Sequence, residues 1–187
     1  MQITFLSENK DKINEVKYLL LKDGIKVKAK KFQFDELASV NLEDVAIGKA
    51  RQVGAIMSEP FIIDDAGIFF DAYPNFPGAF TKHVFKAVGY DGIFRLLKGK
   101  SRGAYFKCVI AYKEAKNKIL TFDGACRGTI STAVEGKISH SSPFNRLFIP
   151  DGEDKTFSEL DAERTIIISH RAKAVRKLVC YLNKFKK

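Results

Sequence analysis

The sequence predicts an α/β or α+β protein built on a mixed sheet. Three observations carry that reading. Short apolar runs that suit strands alternate with segments whose apolar residues recur at helical spacing. Two central runs, Ala104–Tyr112 and Ile119–Arg127, are rich in aromatic and β-branched residues and read as a hairpin. The last helix is strongly amphipathic, with Ser169 as cap and Ala172, Val175, Leu178, Val179, Leu182 and Phe185 on one face. At 187 residues the chain is expected to form one domain, 1–187.

The elements follow in order. Ile3 and Phe5 mark a first strand. The polar loop Ser7-Glu8-Asn9-Lys10-Asp11-Lys12 leads into a helix carrying Ile13, Val16, Leu19 and Leu20, with Ser or Asn as cap and Gly24 as its end. A strand is expected around Ile25–Ala29. A second helix spans 42–57 and is closed by Pro60. Phe61-Ile62-Ile63 is a buried strand that runs into Asp64-Asp65 and continues through Ile68-Phe69-Phe70. Pro74-Asn75-Phe76-Pro77-Gly78 is a loop, followed by short helices over Thr81–Ala87 and Asp91–Leu97. After the hairpin, a further strand is expected at Thr129–Val134, a polar loop at Ser139–Asn145 and a short strand at Leu147–Ile149.

Composition narrows the function classes. A 45% hydrophobic and 12% aromatic chain is not a disordered tail. No apolar run is long enough to span a bilayer, and Met1-Gln2-Ile3-Thr4 lacks the layout of a signal peptide. Cys108, Cys126 and Cys180 are widely spaced and read as thiols of a reducing cytosol. A cytoplasmic protein with no membrane partner is expected. The net charge of +10 suits an anionic partner such as phosphate, nucleic acid or a membrane surface.

Asp64-Asp65 is the sharpest local feature. One carboxylate can bind a hard cation or accept a proton from water while the other supports it, and Mg²⁺ is content with one or two carboxylates plus phosphate oxygens. A solvated turn explains the pair equally well on local sequence alone. Alternation along a strand points the two side chains apart. The first loop leads into a helix N-terminus, which suits phosphate, and Lys12 adds charge there. Taken alone, an ordinary capped surface helix is the stronger reading. Ser169-His170-Arg171 places basic residues against the helix dipole, a conflict that a bound anion would relieve. Lys49 and Arg51 lie on the second helix, where solvated stems are the usual outcome. Glu36 is a further carboxylate that nothing local singles out. Phe144-Asn145 offers a ring and an amide to a base, although Phe144 is more often core.

Taken together and in this order, these motifs resemble the inosine triphosphate pyrophosphatase family. Ser7–Lys12 stands where the family has Thr-Gly-Asn-x-x-Lys. Asp64-Asp65-Ala66-Gly67, then Asp71-Ala72 and Phe76-Pro77-Gly78, is similar to its acidic-Asp-Ser-Gly, Asp-Ala and Pro-Gly block. Phe148–Gly152 with Thr156–Leu160 resembles its late loop, and Ser169-His170-Arg171-Ala172 its Ser-His-Arg signature. The resemblance implies a two-lobed α/β fold with a long mixed sheet, flanking helices and a cleft. It implies Mg²⁺-dependent hydrolysis of inosine, deoxyinosine or xanthosine triphosphate to the monophosphate and pyrophosphate, and a homodimer. It makes Asp65 the proton acceptor and a metal ligand, Asp64 its support in the metal site, and Glu36 the completing ligand. Ser7, Glu8, Asn9 and Lys12 would hold the triphosphate, with Lys49 reaching the phosphates and His170 and Arg171 near base and phosphates. Ala66 belongs to the same block.

Four departures bear on the substrate. Glu8 stands where the family has Gly, and Ala66 where it has Ser. Ser142-Pro143-Phe144-Asn145 replaces the family's Phe-Gly-(Tyr/Trp)-Asp base-recognition stretch. The family's late Lys falls on Arg164 or Thr165. Two other readings follow from the charge and these departures. One is a non-catalytic nucleotide- or nucleic-acid-binding protein on the same fold, the other a pyrophosphatase of shifted base preference. In the leading reading no specific nucleic acid is expected as a partner.

Overall fold

The computed structural model describes residues 1–35, 37–114, 118–137 and 142–184. The opening apolar run forms β1 (Gln2–Leu6), after which Asn9 caps α1 (Lys10–Leu21) by accepting the N–H groups of Asp11 and Lys12 at 2.9 and 3.1 Å. Gly24, in the left-handed region at φ +69°, turns the chain into β2 (Lys26–Lys30). Asn41 caps α2 (Leu42–Gly54), which stops short of the expected Met57. β3 (Phe61–Phe70) is a single strand running through Asp64-Asp65. A 3₁₀ turn at Gly78–Phe80 leads into α3 (Thr81–Leu96), and Gly89 at φ +59° breaks it into the two expected helical pieces. β4 (Gly103–Lys113) and β5 (Ile119–Ile130) form the predicted hairpin, followed by β6 (Phe148–Pro150), α4 (Ala162–Ile168) and α5 (His170–Asn183).

Two expectations are corrected. No separate strand occupies Thr129–Val134: β5 runs on to Ile130, where β6 pairs with Gly128–Ile130, and the Arg102 guanidinium then caps the Ile130 carbonyl at 2.7 Å as the chain turns away. α4 was not foreseen. None of its residues is buried, so it lacks the one-sided apolar repeat that marks a helix. Phe185, Glu36, His140 and Ser139–Ser141 lie outside the described residues.

The strands form one mixed sheet in the order β2-β1-β3-β4-β5-β6, parallel from β2 to β3 and antiparallel beyond. Three apolar clusters cover it. Ile62, Cys108 and Ile110 pack under α1 and α5 on one face; Ile63, Val109 and Ala111 pack under α2 on the other. The third cluster joins α3, the far halves of β3 to β5 and Phe144, Phe148 and Phe157 into a second lobe. From β1 the chain passes through α1 to β2 on one side, then through α2 to β3 on the other. The winding therefore reverses between β1 and β3, and a crevice opens at the carboxyl ends of such strands.

Candidate active site

A cleft of about 1480 Å³ lies at that reversal point. β1 pairs with β3 only at Thr4–Phe61 and Phe5–Ile62, so β3 carries Asp64 and Asp65 past the end of its neighbour. Alternation puts the two carboxylates on opposite faces, and each meets the helices of its own face.

Asp64 is 2% exposed and does not line the cleft. Its Oδ1 accepts from Lys12 of α1 at 3.1 Å, and its Oδ2 from Arg171 Nε of α5 at 2.8 Å. The buried Cys108 thiol lies 3.8 Å from Oδ2. Burial alone would raise the Asp64 carboxyl, but Lys12 and Arg171 outweigh it and hold the group well below the usual carboxylate range. Each oxygen is thus engaged by a cation, and Asp64 is a buried anion that ties α1 and α5 to the sheet.

Asp65 is 17% exposed and faces the cleft. Its Oδ1 accepts from the Ala66 N–H at 3.2 Å and faces Lys49 Nζ at 3.4 Å. Burial raises its carboxyl, with the Asp64 charge adding to the effect, against the pull of Lys49 and Lys12. A carboxylate shifted upward is a better proton acceptor. Lys49 is drawn inward to this pair and to the Phe34 ring at 5.9 Å, rather than solvated.

Arg171 lines the cleft, and at the start of α5 it meets a counter-charge from within the protein. Its Nη1 donates to Glu15 Oε2, and Glu15 Oε1 accepts from Ser169 at 2.6 Å, while Ser169 also caps Ala172 N–H at 2.9 Å. The anion at this helix N-terminus is the protein's own. Sequence reasoning missed Glu15, whose position on α1 gave no signal beyond helical spacing to Lys12 on the same face. His170 stacks on Phe106 with ring centroids 4.9 Å apart and lines the cleft. Burial, then the neighbouring Arg171 charge, push its pKa well below the ordinary value, so the ring is neutral. Its Nδ1 is the one buried side-chain polar atom without a partner among the described residues. Such an atom is costly unless a ligand meets it.

The remaining residues divide cleanly. Asn9, Lys12, Lys49, Ala66, Asn145 and Thr165 line the cleft. Of the two candidate positions for the family's late Lys, Thr165 is therefore in the wall and Arg164 is not. Arg164 points out and pairs with Glu153 at 2.6 Å. Ser7 and Glu8 are not in the wall: Ser7 Oγ accepts the Asn9 N–H at 3.2 Å, and Glu8 is exposed. Phe144 is corrected outright. It is fully buried in the second lobe, 6.0 Å from the Phe70 ring and 5.4 Å from Phe85, and cannot stack on a base. Lys82 and Lys86 of α3 also line the cleft and went unnoticed, because an exposed lysine on a surface helix carries no signal of its own. Asn9 already occupies two of the first N–H groups of α1, so the loop offers side chains more than backbone to an anion.

No group of three or more His, Cys, Asp or Glu among the described residues would hold a metal. The donor set nevertheless suits a hard cation that arrives with a phosphate ligand, since Asp65 presents a carboxylate in the cleft and such an ion keeps waters and phosphate oxygens.

A sequence model of the Ham1 family matches residues 3–181. The chain belongs to the Ham1 family. Among curated Ham1-family relatives, the dITP/XTP pyrophosphatase of Thermococcus kodakarensis is 37% identical over 183 residues, covering 97% of each chain. The dITP/XTP pyrophosphatase of Methanopyrus kandleri is 36% identical over 178 residues, covering 95% of this chain and 94% of that one. The inosine triphosphate pyrophosphatase of Yarrowia lipolytica is 30% identical over 184 residues, 97% and 96% of the two chains. A HAM1 protein from Coxiella burnetii shares the fold with a TM-score of 0.82 at 24% identity, covering 98% of this chain and 99% of that one.

Proposed function

We propose that this Ham1-family protein hydrolyses deaminated purine nucleoside triphosphates, of inosine, deoxyinosine or xanthosine, to the monophosphate and pyrophosphate. The observation that carries the reading is Asp65: a half-buried carboxylate with a raised pKa, mid-strand on β3 where it passes the end of β1 into a basic cleft, in a chain whose relatives are named for those activities. Lys12 and Lys49 supply the charge that a triphosphate needs, and Asn9 closes the same corner. Asp65 orients and deprotonates the attacking water. His170, Asn145 and Thr165 line the same cleft and supply hydrogen-bonding side chains for a base. Mg²⁺ belongs to the same reading, with Asp65 as ligand and Asp64 as its support, the further expected ligand Glu36 lying outside the described residues; when bound, it would neutralise charge that develops on the phosphates. Residues 1–187 act as one domain. A homodimer and a cytoplasmic location complete the proposal, the latter supported by free cysteines and by the finding that no helix among the described residues is long and apolar enough to cross a membrane.

The test is pyrophosphate release from inosine triphosphate with Mg²⁺, set beside adenosine, guanosine and xanthosine triphosphates. Asp65→Asn keeps the shape and removes the base, and turnover is expected to fall by about 10²–10⁴-fold. A wild type inert on the whole panel, or an Asp65→Asn variant of undiminished rate, overturns the reading.

A further inference from the structure

The strand that carries Asp65 has a bare flank. β3 pairs with β4 along its whole length but with β1 only at Phe61 and Ile62. Past Asp64, backbone groups on the β1 side need other partners. Ala66 N–H donates to the Asp65 carboxylate at 3.2 Å and Phe70 N–H to the Phe76 carbonyl at 2.8 Å. Between them, Ile68 N–H donates to Thr81 Oγ1 at 2.9 Å, and the same hydroxyl donates to the Gly78 carbonyl at 2.6 Å. A single hydroxyl thus stands in for a strand neighbour. The junction is tight: a methyl group on Gly67 would lie 2.1 Å from the Gly78 oxygen. Thr81 is also the first residue of α3, which sends Lys82 and Lys86 to the opposite wall of the cleft, and Thr81 itself lines that cleft.

We infer that Thr81 is a positioning residue for the hydrolysis, locking the bare flank of β3 to the start of α3 so that Asp65 and the α3 lysines face one substrate. The inference rests on the activity proposed above. Valine has the shape of threonine but neither bond, leaving the Ile68 N–H and the Gly78 carbonyl unpaired beside the carboxylate. Nucleotide contacts from α1 and α2, at Asn9, Lys12 and Lys49, do not touch Thr81. A misplaced Asp65 therefore weakens the transition state more than substrate binding.

The experiment compares wild type, Thr81→Val and Thr81→Ser by steady-state kinetics per folded molecule and by amide hydrogen exchange at Ile68. For Thr81→Val, kcat is expected to fall by about tenfold or more with KM changed by less than about twofold. Serine keeps the hydroxyl and is expected to restore kcat to within about threefold of wild type. Ile68 N–H exchange should quicken at least about tenfold in valine and not in serine. A valine variant with unchanged kcat, or a serine variant as impaired as valine, overturns the inference. If the wild type hydrolyses none of the nucleotides, the activity proposal fails separately. Exchange then still decides the tether, since equal Ile68 protection in wild type and valine rejects it.

Discussion

Replacing Arg171 with methionine tests the buried ion cluster directly. Methionine keeps the length of the stem and removes the charge. Asp64, 2% exposed, is then left with Lys12 alone at 3.1 Å, and Glu15 keeps only Ser169. Removing one partner of a buried pair costs about 3–5 kcal/mol, because the stranded charge has no water to return to. For a chain of this size that corresponds to a fall in Tm of roughly 6–20 °C. The double variant Arg171→Met/Asp64→Asn removes the stranded charge as well and should regain at least about 2 kcal/mol of the loss. The pH dependence has a definite sign. Asp64 is depressed in the folded state, so its contribution is complete above the unfolded carboxylate range and is lost as the pH falls. The advantage of wild type over Asp64→Asn should therefore be full above about pH 5 and shrink steadily below it. Urea titrations of wild type, Arg171→Met, Asp64→Asn and the double variant at pH 7 and pH 4 measure all of this. A single-variant loss below about 1 kcal/mol, or a double variant no more stable than the single, refutes the reasoning.

Two other outcomes are expected. Gly67→Ala drives a methyl into the Gly78 carbonyl, so the 3₁₀ turn must move; a loss of about 1–3 kcal/mol in chemical unfolding is expected, and an unchanged midpoint would show that the junction is looser than 2.1 Å implies. Of the three free thiols, Cys180 is exposed whereas Cys108 and Cys126 are buried, with burial pushing both thiols upward. An aromatic disulfide reagent should modify one thiol quickly in the native protein and the other two only on unfolding. A second fast thiol would contradict that.

Periodicity made most of the fold legible. β3 and β4 bury apolar residues on both faces and the Ser169-capped α5 buries them on one, and such runs and stripes are what a single sequence displays. α4 was invisible because it buries nothing, and its Ile166-Ile167-Ile168 run carries no helical one-sidedness. The site was half legible. Alternation correctly parted Asp64 from Asp65, yet which face meets which cation depends on helices from three separate segments. At Arg171 the conflict with the α5 dipole was real, and the sequence did not point to Glu15 in the first helix, which supplies a counter-charge to a side chain that also lines the cleft. Phe144 and Arg164 could be placed by motif but not by orientation, since a residue's neighbour in the chain says little about which way a loop side chain turns.

The cluster around Asp64 also sets when the cleft can exist. Arg171 meets Asp64 across 107 residues of chain and Glu15 across 156, and Ser169 meets Glu15 across 154. Until the last helix docks, Glu15 lacks Arg171 and Asp64 has only the Lys12 cation, and His170 is not yet in the wall of the cleft. A chain that lacks α5 leaves Ile3, Phe5 and Ile62 without the apolar face of that helix and has no complete nucleotide site. One helix thus serves the core and the site together: the α5 residues that cover the first cluster also set His170 in the cleft and Arg171 against Asp64.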